Sequence, residues 1–329
     1  MNIAIINQHI FQVLGGSEVQ SAFIASELQN RGHDVTYIAP SRKRFKKIEN
    51  DIRYELVVVE NDSKAIIQTI KNSKPDVIYW RYNKNFLFAI ASFSKNSGIP
   101  FVFAASHIND LMPWSTKSFN GLKGKKKMLV NKLKSRWNHQ GFKYVDSVTV
   151  NNADFIRFSV IKDTRFIANG MVDNIKFGYE HIRPYVLWVA NIKRPKRPEL
   201  VVKLAGDLRA YNVDVIMVGA MNSKHYSWLK DKKRIPSNLF YLGKQGLFEV
   251  NGLLATSLFH IHTCVPEGFS NIFIQAWLQE KLSVSFDYDP CGYIVDQGIG
   301  INAPGDYDVF LKGIVDLLKN EGKRNAMGQ

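Results

Sequence analysis

One pattern limits the fold of this 329-residue chain more than any other. Short unbroken apolar runs alternate with stretches of helical periodicity, and the series occurs twice. In the first half the runs occupy residues 2–7 (NIAIIN), 34–39 (DVTYIA), 55–59, 76–80 (DVIYW), 100–104 and 147–151. A helix follows the Gly15–Gly16 turn as far as Arg31, and two more cover 63–73 and 86–97. Runs that are apolar at successive positions suit strands buried on both faces, and the helices between them supply the crossovers that parallel pairing requires. The second half repeats the pattern with strands at 185–190 (YVLWVA), 214–219 (DVIMVG), 239–242, 258–262 and 282–286, and a helix over 198–210. The spacing predicts an α/β protein of two Rossmann-like, doubly wound domains. Asn-Gly, Phe-Gly and Arg-Pro breakers crowd residues 166–184. We therefore expect one domain over 1–168, a connection over 169–183 and a second domain over 184–329. Such sheets bind ligands beyond the carboxyl ends of their strands, so two of them facing each other would enclose a cleft.

Composition removes several classes. With 45% hydrophobic and 22% charged residues, the chain is neither disordered nor a coiled coil. Cys264 and Cys291 are its only cysteines, which excludes a disulfide framework and suits a reducing compartment. The start, MNIAIINQHI, lacks a basic segment and a long apolar core, so it does not read as a secretory signal. No apolar run approaches the ~18 residues of a spanning helix. Charge is more telling. Lys and Arg number 44 against 29 Asp and Glu, and residues 1–170 hold 25 of the basic and 13 of the acidic groups. A basic first half points to an acidic partner: phosphate ligands, anionic lipid or nucleic acid.

Two segments have the residue types for phosphate chemistry. Leu14-Gly15-Gly16-Ser17-Glu18 lies between a strand and a helix, where glycines permit close approach and the helix end offers bare N–H groups. It lacks the three-glycine dinucleotide fingerprint, which excludes a Rossmann oxidoreductase. The second segment, CVPEGFSNIFIQAW from Cys264 to Trp277, follows the strand at 258–262. Pro266 and Gly268 force a turn, and Ser270 or Asn271 can cap a helix running to about Lys281. Glu267 then lies at a positive helix end, with Gln275 a little over one turn inside. A loop carboxylate, bare N–H groups and a polar helix side chain suit a sugar bearing a diphosphate.

In combination these motifs resemble glycosyltransferase family 4, of the GT-B fold. Similar features are the Gly-Gly-x-Glu loop, the segment Arg31-Gly32-His33-Asp34-Val35, Asn169-Gly170 with Asp173 behind it, and Lys196 in NIKRPKRPE. The family signature of two acids separated by seven residues reads Glu267 to Gln275 in EGFSNIFIQAW. The resemblance implies a nucleotide-sugar donor, UDP- or GDP-linked, and retention of the anomeric configuration. By the same resemblance Glu267 bonds the hydroxyls of the donor sugar, the N–H groups from Gly268 through Phe269, Ser270 and Asn271 hold the distal phosphate, and Lys196 neutralises the leaving diphosphate. Gln275 stands where the family has the acid that holds the ribose, Gly16 lines the phosphates, and His107 matches a histidine near the reacting sugar.

The sequence also departs from the family. Asn191 occupies the position of an arginine, and Lys193 or Arg194 is expected to reach the same phosphates. The chain ends at Gln329, short of the helix that the family runs back to its first domain. A metal is not expected to be required, and His260 and His262 read as packing residues.

Residues 122–137, LKGKKKMLVNKLKSRW, set Leu122, Leu129, Leu133 and Trp137 at helical spacing among Lys125, Lys126, Lys127, Lys132, Lys134 and Arg136. An amphipathic basic helix suits an anionic membrane surface, and Arg42-Lys43-Arg44-Phe45-Lys46-Lys47 adds to the charge. The same spacing also suits a helix with its apolar side against the core and a solvated charged back. The expected picture is a cytoplasmic enzyme, peripheral on the inner membrane face. Its acceptor would be a glycan or polyprenyl-linked, and its role the building of cell-surface polysaccharide. A sugar-nucleotide epimerase or hydrolase of the same fold is the competing enzyme class. A nucleic-acid-binding module rests on charge alone, without a supporting motif, and no nucleic-acid partner is expected.

Overall fold

The computed structural model describes residues 1–13, 15–41, 52–113, 121–171, 178–221, 224–264 and 268–329. For 121–127 and 224 the description covers the backbone alone. The chain divides into two compact units, Met1–Gly170 and Met171–Gln329.

The first unit holds strands β1 (Asn2–Ile6), β2 (Asp34–Ser41), β3 (Glu55–Glu60), β4 (Val77–Trp80), β5 (Phe101–Ala105), β6 (Ser147–Val150) and β7 (Thr164–Phe166). They form one parallel sheet in the order β3-β2-β1-β4-β5-β6-β7. Its helices are α1 (Gly16–Asn30), α2 (Ser63–Ser73), α3 (Leu87–Asn96), α4 (Ile108–Leu111) and α5 (Gly121–His139). The unbroken apolar run of β1 is explained by burial on both sides: Ala4 and Ile6 pack with Ile38, Trp80 and Phe103, while Ile3 and Ile5 pack with Val35 and Tyr37. Local signals set the helix ends. Asp62 caps α2 by accepting from the N–H groups of Lys64 and Ala65, and Lys74 closes it in the left-handed conformation.

The second unit repeats the plan with β8 (Tyr185–Val189), β9 (Asp214–Val218), β10 (Leu239–Tyr241), β11 (His260–His262), β12 (Ser283–Ser285) and β13 (Gly300–Asn302). Its sheet, also parallel, has the order β10-β9-β8-β11-β12-β13. The helices are α6 (Pro198–Asp207), α7 (Leu247–Thr256), α8 (Asn271–Leu278), α9 (Tyr293–Asp296), α10 (Tyr307–Lys319) and α11 (Glu321–Gly328). Val186, Trp188, Val215 and Met217 form one side of the core with Val201, Leu204, Phe310 and Ile314. Tyr185, Leu187, Ile216 and Val218 form the other with Leu253, Leu254, Ile272 and Ala276.

Strand order reverses at two places, between β1 and β4 and between β8 and β11. At each, successive crossovers leave in opposite directions and the loops at the carboxyl ends part, which leaves a crevice there. Strands β7 and β13 lie outside the apolar runs of the sequence. Both are three-residue edge strands, and pairing to one neighbour alone demands little apolar side chain.

At the carboxyl end of β9, Gly219 has φ +150°, and a Cβ there would sit 1.9 Å from the Ala190 carbonyl oxygen. The backbone itself is in the way, so no side-chain movement relieves the clash. Gly219→Ala is expected to lower the unfolding free energy by about 2 kcal/mol or more, read from urea denaturation.

Candidate functional site

In the second unit the crevice between β8 and β11 is built by the segments that leave those strands. After β8 the chain runs through Asn191 and Lys193 into a single 3-10 turn, Arg194–Lys196, with Arg197 in the left-handed conformation (φ 48°) before α6. This turn is fastened from β11. The Thr263 hydroxyl, fully buried, donates to the Lys196 carbonyl at 2.7 Å and accepts from the Trp188 indole N–H at 2.9 Å. Lys196 is thereby brought beside Cys264. Burial lowers the pKa of the ammonium; Cys264 opposes the shift and Lys193 adds to it. Burial likewise pushes the Cys264 thiol up, against the pull of Lys196. Lys193 and Arg194 are exposed on the same turn, as is Asn191.

Helix α8 begins beyond Cys264. Ser270 stands at its N-cap position, but the hydroxyl makes no capping bond, contrary to the usual behaviour of serine there. The helix is also shorter than the sequence predicts, ending at Leu278. Gly268 and Phe269 are buried, and the Gly268 carbonyl accepts from the Tyr288 hydroxyl. Gln275 is buried on α8, its Nε2 donating at 2.8 Å to Oδ1 of Asn251 on α7. The structure thus gathers Lys196, Gly268, Phe269, Ser270, Asn271 and Gln275 into one unit around the carboxyl ends of β8 and β11. Glu267, with Val265 and Pro266, lies outside the described residues.

His260 and His262 lie beneath α8. Both are buried against Phe273, His260 edge-on and His262 tilted, with Nδ1 facing the hydroxyls of Ser283 and Ser285, respectively. Burial takes His260 down to about 3 and His262 well below its ordinary value, so both rings are neutral at pH 7. Among the described residues, no group of three or more His, Cys, Asp or Glu side chains could hold a metal ion.

The first unit brings a second set of polar groups to the β1–β4 crevice. Gly15 is the N-cap of α1 and Gly16 its first residue. The Glu18 carboxylate folds back over them, one oxygen lying 2.3 Å from where a Gly15 Cβ would stand. Burial raises the pKa of Glu18, against its own backbone N–H and the charge of Arg81. Arg81 follows β4 and donates to the Ser106 hydroxyl at 3.1 Å, the Tyr79 hydroxyl at 3.3 Å and Asn169 Oδ1 at 3.1 Å. Gln20, buried on α1, pairs with Gly170 in both directions: its Nε2 donates to the carbonyl at 2.5 Å and its Oε1 accepts from the N–H at 3.0 Å. Asn169-Gly170 is thereby tied to α1 and β4. His107 caps α4, its Nδ1 accepting from the Asn109 N–H at 3.0 Å, while Asp110 accepts from the N–H groups of Ser106 and His107. An accepting Nδ1 places the proton of the neutral ring on Nε2.

Thr263, Asn251, Gln20 and Arg81 were not legible as site residues by motif. The usable signal was position: Thr263 and Arg81 stand one residue past a strand end beside a change in strand order.

A third feature lies on the surface. Helix α5 turns Met128, Asn131, Ser135, Asn138 and His139 partly inward. Leu129, Leu133 and Trp137 are 59%, 62% and 58% exposed, respectively, although the Trp137 ring touches Phe88. Lys132, Lys134 and Arg136 flank them, all exposed. The apolar stripe faces away from the core, so this part of α5 is not a core-facing helix with a charged back. Side chains of 121–127, and the whole of 42–51, lie outside the described residues. Among the described residues no helix is long and apolar enough to cross a membrane.

Comparison with known proteins places this geometry. Residues 173–329 match the family described as glycosyl transferases group 1, and residues 14–158 match glycosyltransferase family 4. No curated protein matches the chain at a significant level. Solved structures do. The Anabaena protein HepE, crystallised with UDP and glucose, is 17% identical with a TM-score of 0.77, over 100% of this chain and 93% of its own. Sucrose-phosphate synthase from Thermosynechococcus elongatus is 12% identical with a TM-score of 0.78, over 100% and 92%. TarM from S. aureus, crystallised with UDP and α-GlcNAc-glycerol, is 11% identical with a TM-score of 0.70, over 99% and 94%. At these identities the likeness is one of fold.

The fastening of the Lys196 turn is directly testable. Thr263→Val keeps the shape of the side chain but strands a buried indole N–H and a backbone carbonyl. Unfolding free energy should fall by about 2–4 kcal/mol, measured by urea denaturation.

Proposed function

The chain belongs to the group 1 glycosyltransferases of the family 4 type, with the GT-B fold, and on that premise we propose that it is a retaining enzyme that transfers a hexose from a UDP- or GDP-linked donor. The observation that carries the reading is the pairing of Lys196, half-buried and locked by Thr263, with the α8 amino end that Ser270 leaves without a side-chain cap. A desolvated cation and oriented N–H groups are preorganised for negative charge that develops as the donor breaks. In the proposed reaction the bond from the anomeric carbon to the diphosphate oxygen breaks, and its electron pair leaves with the diphosphate. Lys196, with Lys193 or Arg194, and the N–H groups of Gly268–Asn271 hold that charge. The acceptor hydroxyl forms the new bond on the same face and passes its proton to the departing phosphate oxygen. Glu267 bonds hydroxyls of the donor sugar, Gln275 the ribose, and His107 presents Nε2–H to the reacting sugar, with Gly16 beside the phosphates. The chemistry requires no divalent metal.

The acceptor is a glycan or a polyprenyl-linked sugar of cell-surface polysaccharide, reached from the cytoplasmic face of a membrane. Support comes from α5, whose outward stripe of Leu129, Leu133 and Trp137 lies among cations, each contributing about 1 kcal/mol beside anionic lipid.

Two measurements test the reading. In a thermal-shift panel of nucleoside diphosphates and nucleotide sugars, one base should stabilise the protein, and its sugar donor should turn over with EDTA present. Lys196→Ala should then lower kcat by about 100-fold or more. A panel in which no nucleotide binds, or full activity in the alanine variant, rejects the assignment. Separately, the protein should sediment with vesicles containing anionic lipid and be released by salt, and Leu133→Ser should weaken that binding. Equal binding to neutral vesicles would reject the role given to the cations of α5, and no binding to either would reject the membrane contact.

A further inference from the structure

The amide at position 275 poses a chemical problem. A carboxylate there would present acceptors whichever way it turned. Glutamine carries one acceptor and two donors, and which of them meets a ligand depends on how the amide is turned. The structure contains a device that settles this. Asn251, wholly buried on α7, aims Oδ1 at Gln275, and Nε2 of Gln275 donates to it at 2.8 Å. Rotating the amide would set Oε1 against Oδ1, two acceptors facing each other in a buried interface, where nothing offsets their desolvation. The remaining atom, Gln275 Oε1, takes no hydrogen bond from any described residue, yet it is not sealed from solvent, although the residue is only 6% exposed. Gln275 lies one turn after Asn271, and helical side chains lean toward the amino end of their helix, here toward residues 268–270.

We propose that Asn251 is a positioning residue that turns Gln275 so that it offers ligand only its oxygen, making the glutamine a neutral substitute for a carboxylate that accepts from a vicinal diol. This rests on the donor reading above, in which that diol is the ribose of the nucleotide. A diol donates two O–H groups to an acceptor; an amide turned the other way would present N–H groups to them and lose the preference for a hydroxyl over its absence.

The test is the ratio of affinities for the ribo- and 2′-deoxyribo-forms of the preferred nucleoside diphosphate, measured by calorimetry on the full chain, with thermal melts for each variant. Wild type should prefer the ribo-form by about tenfold, the worth of one well-made hydrogen bond. Asn251→Ala should bring the ratio to within twofold of unity. Asn251→Asp, which still accepts from Nε2, should keep it. The double variant Asn251→Ala with Gln275→Glu should restore it, because a carboxylate presents oxygen in either orientation. Should the alanine variant fail to fold, Asn251→Leu, near in volume and without an acceptor, takes its place in both backgrounds. A folded alanine or leucine variant with an undiminished ratio overturns the proposal, as does a folded double variant that stays indifferent to the hydroxyl. Wild type that binds no nucleoside diphosphate removes the donor reading itself; wild type that binds both forms equally removes only the role given to Gln275 and Asn251.

Discussion

Reversal of strand order is the constraint on which the rest depends. In a parallel sheet every strand delivers its last carbonyls to the same edge, and crossovers normally cover that edge. Where β8 and β11 lie side by side, their crossovers depart in opposite directions and the edge stays open. Side chains just past those strand ends are therefore placed in a crevice by topology alone. Lys196 and Cys264 owe their proximity to this, although 67 positions separate Thr263 from the Lys196 carbonyl it holds. The first unit repeats the arrangement with Arg81 after β4 and Gly15–Gly16 after β1.

The polar network at this edge determines what the crevice can do. A buried hydroxyl that both accepts and donates, as Thr263 does between Trp188 and Lys196, leaves neither partner orphaned and ties the turn at 194–196 to β8. The pair Gln275–Asn251 does the same for a side chain. Both act through buried groups whose alternatives are costly, so orientation is held without a charge having to be buried.

Helix α5 departs from ordinary burial in the opposite sense. Its inward face is largely polar, and its apolar stripe is outside. Solvation works against that arrangement for a helix in water, and the proposed contact with an anionic lipid surface would relieve the cost.

Unbroken apolar runs announced the parallel strands, because burial on both faces leaves no room for alternation, and the Gly15–Gly16 turn announced where α1 begins. The segments around Gly16 and Ser270 carry residue types that suit phosphate, whereas Lys196 was singled out by resemblance to the family and not by its spacing. Strands β7 and β13 were not legible, since an edge strand of three residues leaves no apolar signature. Nor was the outward stripe of α5: periodicity says which residues share a face, not which way it points. What the sequence determined by itself was therefore local, namely element type, order and the residues with chemistry. Tertiary structure alone decided that Asn251 would meet Gln275, that Gln20 would clasp Gly170 and that Thr263 would join Trp188 to Lys196, because such contacts depend on the packing of distant elements and carry no spacing that a linear reading can recognise.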